Sequence, residues 1–77
     1  MSEGEVLDLT GLKCPLPALM TARALRRLAP GALLTVIVTD ALAPIDIRFL
    51  CEREGHAFVE QAKLDGATRI VLRRASM

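Results

Sequence analysis

The sequence predicts an α/β (α+β) fold, a two-layer sandwich of βαβαββ order with a four-stranded mixed sheet and both helices on one face. Three observations predict it. A chain of 77 residues can enclose only one hydrophobic core, so residues 1-77 read as a single domain. Apolar residues recur at helical spacing in two segments and in β-type patterns in four others. These segments run strand, helix, strand, helix, strand, strand, with no repeat, linker or low-complexity stretch between them.

Val6, Leu7 and Leu9 read as a short first strand, closed by Thr10-Gly11, where glycine permits a sharp change of direction. From Pro15 to Ala29, residues Ala18, Leu19, Ala22, Leu25, Leu28 and Ala29 recur at helical spacing, and Arg23, Arg26 and Arg27 fall largely on the other side. Pro30-Gly31 supplies the stop. Leu33 to Thr39 is β-branched and nearly all apolar, which suits a central strand covered on at least one face. Asp40 is placed to cap a second helix running to about Glu54, with Ala43, Ile47, Leu50 and Cys51 on one stripe and Gly55 just past its end. Pro44 fits either the first helical position or a later place in the first turn. Ala57 to Ala62 and Thr68 to Arg73 then form a hairpin around Asp65-Gly66. Its last strand buries Ile70 and Leu72 and turns Arg69, Val71 and Arg73 the other way.

Composition narrows the function classes. The chain is 52% hydrophobic and 25% charged, a balance that folds rather than stays disordered. Phe49 and Phe58 are its only aromatics, too few for base-stacking platforms, so no direct nucleic-acid contact is expected. A net charge of +1 gives no strong global field. Charge is nonetheless uneven: between Asp8 and Asp40 the only charged residues are Lys13, Arg23, Arg26 and Arg27, the stretch from Asp40 to Asp65 is mostly acidic, and Arg69, Arg73 and Arg74 make the end basic. The first residues lack a secretory pattern and the longest apolar run cannot span a bilayer, so a cytoplasmic location without membrane contact is expected. In a reducing compartment Cys14 and Cys51 are expected to be free thiols, and their separation matches no paired-cysteine metal or redox spacing. With His56 they offer too few ligands for zinc, so neither a metal nor a cofactor is expected.

The candidate chemistry lies at Cys14-Pro15-Leu16-Pro17, where the first helix opens. Proline at the first helical position has its φ preset and gives up an amide that has no helical partner, and Pro17 still lies in the first turn. The two prolines stiffen the exit and place Cys14 at a surface helix end, with the amides of Leu16 and Ala18 nearby. A helix N-terminus and an adjacent cation, here Lys13, favour thiolate over thiol and would equally hold an ionised persulfide. Without the prolines, a cysteine before a helix reads as a small buried hydrophobe.

The segment Leu-Asp-Leu-Thr-Gly-Leu-Lys-Cys-Pro-Leu-Pro, residues 7 to 17, resembles the leading signature of the TusA-like (SirA-like) sulfur-carrier family, whose Cys-Pro-x-Pro box follows a glycine at a short fixed distance. The likeness extends through Pro30-Gly31, Asp40, Asp46-Ile47, Cys51 and Gly55-His56. It implies that Cys14 receives sulfane sulfur as a persulfide from a cysteine desulfurase or rhodanese-like donor and passes it to an acceptor protein, while Pro15 and Pro17 shape the helix start. Family members serve tRNA wobble-uridine thiolation, molybdenum-cofactor enzyme maturation and sulfur oxidation. They often place proline directly after the aspartate that opens the second helix, whereas here Ala41 follows Asp40.

The remaining residues carry weaker signals. Cys51 reads as a buried structural thiol on its apolar stripe, with a resolving cysteine as the alternative. His56 reads as a capping or surface group, Asp40 as a cap, and Asp46 as a first-turn or surface charge. Arg23, Arg26 and Arg27 are either solvated charge or a docking face beside Cys14. The competing reading is a small regulatory or RNA-binding module using Arg23, Arg26, Arg27, Arg69, Arg73 and Arg74. A thiol redox protein would want a Cys-x-x-Cys pair, which is missing.

Overall fold

The structure is a computed structural model that describes residues 4–76. Its elements are β1 (Glu5–Asp8), α1 (Leu16–Arg27), β2 (Leu33–Val38), α2 (Ala43–Glu54), β3 (Ala57–Leu64) and β4 (Ala67–Arg73). They form one four-stranded sheet in the order β1-β2-β4-β3, parallel at β1/β2 and antiparallel elsewhere. The expected βαβαββ order and mixed sheet are therefore present.

Strand alternation decides which face is covered. Leu34, Val36 and Val38 of β2 and Ile70 and Leu72 of β4 are fully buried, in register as Leu34↔Leu72 and Val36↔Ile70. Leu25 and Ala24 of α1 and Ile47, Leu50 and Cys51 of α2 close over them as one cluster, so both helices share that face. Each fully buried Leu, Ile or Val side chain contributes about 1.5–3 kcal/mol. Phe58 packs against the cluster's edge and carries the Arg48 guanidinium 4.1 Å above its ring. On the other face Thr35, Ile37 and Val71 are half-exposed and Val6 is open.

Most boundaries shift by one to three residues from the sequence reading. Leu9 lies just past β1, yet it is buried and its amide still donates to the Ile37 carbonyl at 2.8 Å. The buried side of α1 is rotated from the expected stripe: Pro17, Thr21, Ala22, Ala24 and Leu25 are buried, Leu19 is 55% exposed and Ala29 is open. Small side chains at 21, 22 and 24 let the helix seat closely, and the Thr21 hydroxyl is satisfied by the Pro17 carbonyl at 2.7 Å. The expected α2 stripe of Ala43, Ile47, Leu50 and Cys51 is buried as read, and Gly55 ends the helix at φ +81°. That left-handed value is where a glycine is needed. The hairpin turn falls at Asp65-Gly66, with strands longer than expected and a bulge between Phe58 and Glu60.

Candidate functional site

The site follows from β1 and β2 being parallel neighbours. Both strands end at the same edge of the sheet, so the loops that leave them toward α1 and α2 run side by side. Three hydrogen bonds tie the first loop to the second loop and to the first turn of α2. The Gly11 amide donates to Thr39 Oγ1 at 2.9 Å, the Cys14 amide to Asp40 Oδ2 at 2.6 Å, and the Cys14 thiol to Asp46 Oδ2 at 2.6 Å. Within the first loop, Asp8 Oδ1 accepts from both the amide and the hydroxyl of Thr10. Those two bonds hold the Asp8 carboxyl below its usual range.

Cys14 is exposed and Cys51 buried, both as free thiols. The expected helix start needs correction. Pro15 is the N-cap residue, at φ −98° and ψ 12°, not the first helical residue; the Cys14-Pro15 peptide is cis, and the helix begins at Leu16 with Pro17 buried in its first turn. The Leu16 amide donates to the Lys13 carbonyl at 2.8 Å, so it belongs to the turn that presents Cys14.

The electrostatics also reverse the expectation of a lowered thiol pKa. The hydrogen bond to Asp46 raises the Cys14 thiol above its ordinary value, reinforced by desolvation and by the charges of Asp46 and Asp40. A thiol that donates to a carboxylate loses that bond and gains repulsion when it ionises. Lys13 acts instead on Asp40, whose carboxyl lies below its usual range chiefly because the Cys14 amide, and then the Leu42 amide, donate to it. Asp40 is thus not the N-cap of α2. That position is Leu42, with Pro44 in the first turn, and Asp40 organises the turn before it while pinning Cys14. Ala41 and Leu42 form a turn, and the helix starts at Ala43.

Beside Cys14 a groove runs between α1 and α2, lined by Pro15, Leu19, Arg23, Asp46, Phe49 and Arg53 among others. Among its lining residues, the large apolar side chains of Leu19 and Phe49 are exposed. Arg26 also lines it and pairs with Glu54 at 3.6 Å. Arg27 does not join them: it reaches Glu5 of β1 at 3.9 Å. The six arginines of the nucleic-acid reading do not form one patch either. Arg69 pairs with Glu60 at 3.1 Å on the sheet, Arg73 donates to the Gly31 carbonyl, and Arg74 Nε is buried. His56 sits with Nδ1 accepting from the Ala75 amide at 2.9 Å and Nε2 3.5 Å from Glu54, far along the chain from the Cys14 loops. Burial pushes the Cys51 thiol up to about 11. Among the described residues no cluster of three metal-ligating side chains occurs, and no helix is long and apolar enough to cross a membrane.

The family profile described as Sulfurtransferase TusA matches residues 5–74. The chain belongs to this family. A TusA relative from Pseudomonas aeruginosa, named a sulfur carrier protein, is 48% identical over 61 residues, covering 79% of this chain and 77% of that one. A Neisseria meningitidis relative is 43% identical over 68 residues, 88% of this chain and 92% of its own. A crystal structure of a SirA-like protein from Desulfitobacterium hafniense superposes with a TM-score of 0.82 at 23% identity, covering 92% of this chain and 97% of that one, which bears on the fold.

Asp46 and Asp40 are the site residues that sequence reasoning did not place with Cys14. Their signal was present: Asp40 lies in the loop that leaves β2 and Asp46 in the first turn of the helix after it, and β2 is next in the sheet to the strand that leads to Cys14. The exposed Leu19 and Phe49, read respectively as core and as an unremarked aromatic, line the groove.

Proposed function

We propose that this TusA-family protein is a sulfur carrier in which Cys14 accepts sulfane sulfur as a persulfide from a donor protein, such as a cysteine desulfurase or rhodanese-like enzyme, and passes it to an acceptor protein. The observation that carries this reading is an exposed thiol on a turn held at fixed points, by Asp40 at its backbone and Pro17 in the helix behind it. Membership in a family whose relatives are named sulfur carriers supports it. Sulfur passes by attack of Cys14 on the outer sulfur of the donor persulfide, so the protein needs an accessible thiol and a docking face rather than an enclosed substrate pocket. Turnover then belongs to the carrier and its partners together, in the cytoplasm.

The groove between α1 and α2 is the docking face of this reading. Exposed Leu19 and Phe49 supply apolar contact in the groove, and Arg23, Arg26 and Arg53 add a basic character suited to an acidic partner surface. Lys13 adds charge next to Cys14 in the chain.

Incubation with a cysteine desulfurase, cysteine and pyridoxal phosphate, followed by intact mass measurement, tests the proposal. The expected result is a gain of one sulfur atom in the wild type and none in Cys14→Ser. No gain with several desulfurase and rhodanese-like donors, or a gain that survives the substitution, would overturn it.

A further inference from the structure

The Cys14 thiol is exposed, yet it is engaged. Its Sγ donates to Asp46 Oδ2 at 2.6 Å, and its amide donates to Asp40 Oδ2 at 2.6 Å. A carboxylate can only accept, so the contact with Asp46 exists for S–H and not for an anion at the same place. The charged groups around the sulfur are Asp46 from the first turn of α2, Asp40 from the loop after β2, and Lys13 on its own turn. Arg23 and Arg26 of α1 and Arg53 and Glu54 of α2 lie further along the groove that Asp46 lines. The two carboxylates act on the sulfur, and the Lys13 ammonium acts on one of them, Asp40.

A sulfur carrier alternates between two forms at this atom. Empty, it is a thiol. Loaded, it is a hydropersulfide, whose terminal S–H is more acidic than a thiol because the neighbouring sulfur helps to carry the charge. We infer that Asp46 is a latch that senses loading: it holds the empty thiol inward against α2 as a hydrogen-bond donor and repels the loaded, anionic persulfide outward toward the acceptor. The first half concerns the free thiol alone, and the second rests on the persulfide reading given above.

The latch fits a balanced transfer. Cys14 Sγ attacks the outer sulfur of the donor's cysteine persulfide, one S–S bond forms as the donor's S–S bond breaks, and the donor cysteine leaves as a thiolate. That thiolate takes up the proton released by Cys14, so no external oxidant or reductant is needed. In the free carrier, Asp46 keeps Cys14 a poor nucleophile and spares it stray oxidation and disulfide exchange. A donor that draws the thiol away from Asp46 frees it where sulfur is on offer.

Asp46→Asn removes the charge and preserves the shape. In the isolated full-length protein, the pH midpoint of Cys14 alkylation by iodoacetamide, read by peptide mass, should fall. The rate at pH 7.5 should rise about two- to threefold, because one nearby charge in a wet site changes the thiolate population roughly fivefold and lower basicity gives back part of the gain. A midpoint that stays or rises overturns the latch. Carboxyl-carbon NMR provides a second reading on unsubstituted Asp46: its resonance should differ between wild type and Cys14→Ala, and loading the wild type with inorganic polysulfide should move it to the Cys14→Ala position. An Asp46 resonance that ignores Cys14→Ala, or that stays put in protein shown by mass to carry the extra sulfur, overturns the proposal. Failure of both polysulfide and desulfurase to load Cys14 would count against the carrier reading instead, while the alkylation profile decides the thiol half by itself.

Discussion

Cys51→Ser distinguishes a packing thiol from one that handles sulfur. Cys51 is 1% exposed among Ile47, Leu50 and the sheet, and burial pushes its thiol up to about 11. At pH 7.5 such a group is roughly one part in 3,000 thiolate. It also lies five positions beyond Asp46 on α2, about 7.5 Å by helical rise, away from the loop that holds Cys14. Serine replaces a weak polar group by a hydroxyl, which costs about 1–3 kcal/mol when left without a partner. On α2 the new hydroxyl can donate to the Ile47 carbonyl one turn back, as Thr21 does to Pro17 on α1. The expected loss is therefore in the lower half, about 1–2 kcal/mol, out of a total near 4–12 kcal/mol for a chain of this length. That corresponds to a Tm lowered by roughly 5–15 °C. Thermal unfolding and intact mass after desulfurase treatment at 20 °C read the two consequences. The expected result is a lower Tm with one sulfur still gained at Cys14. An unchanged Tm, or a folded variant that no longer loads, would refute the assignment of Cys51 to packing alone.

Four further outcomes are expected. The raised Cys51 thiol favours the native state below its ordinary value of 9.0, and that contribution is lost as pH rises through about 11. The wild type should accordingly lose on the order of 2 kcal/mol relative to Cys51→Ala between those pH values in urea titrations, and a constant difference would contradict it. Gly55→Ala meets no atom within 4 Å but must hold φ +81°, so it should cost about 1 kcal/mol in urea unfolding and leave sulfur loading intact. The lowered Asp40 carboxyl stabilises the site above its ordinary value of 3.8, and this is lost as pH falls through its folded value; the Cys14 amide resonance should titrate with a midpoint below 3.8, and a midpoint at or above it would break the link. Charge reversal at Arg23 and Arg26 should slow sulfur acceptance and weaken its salt dependence without lowering Tm, whereas Arg27→Glu, on the β1 side, should slow it less.

The sequence by itself determined the order of elements, the central strand, the α2 stripe and the place of the Cys-Pro-x-Pro box, because each is written in local terms: a β-branched, nearly all apolar run from Leu33 to Thr39, helical spacing from Ala43 to Cys51, glycine at the end of α2, prolines after Cys14. Local terms misjudged α1. Its apolar residues cover more than one side, and only packing against the sheet and α2 selected Thr21 and Ala24 for the interior and left Leu19 in the groove. The state of the thiol was beyond them as well. Lys13 and the helix start, both neighbours of Cys14 in sequence, argue for a thiolate, but the parallel pairing of β1 with β2 brings Asp46 from 32 positions away onto the sulfur. Electrostatic energy depends on distance in space, so the strand pairing, not the chain order, decides that the empty carrier holds its proton.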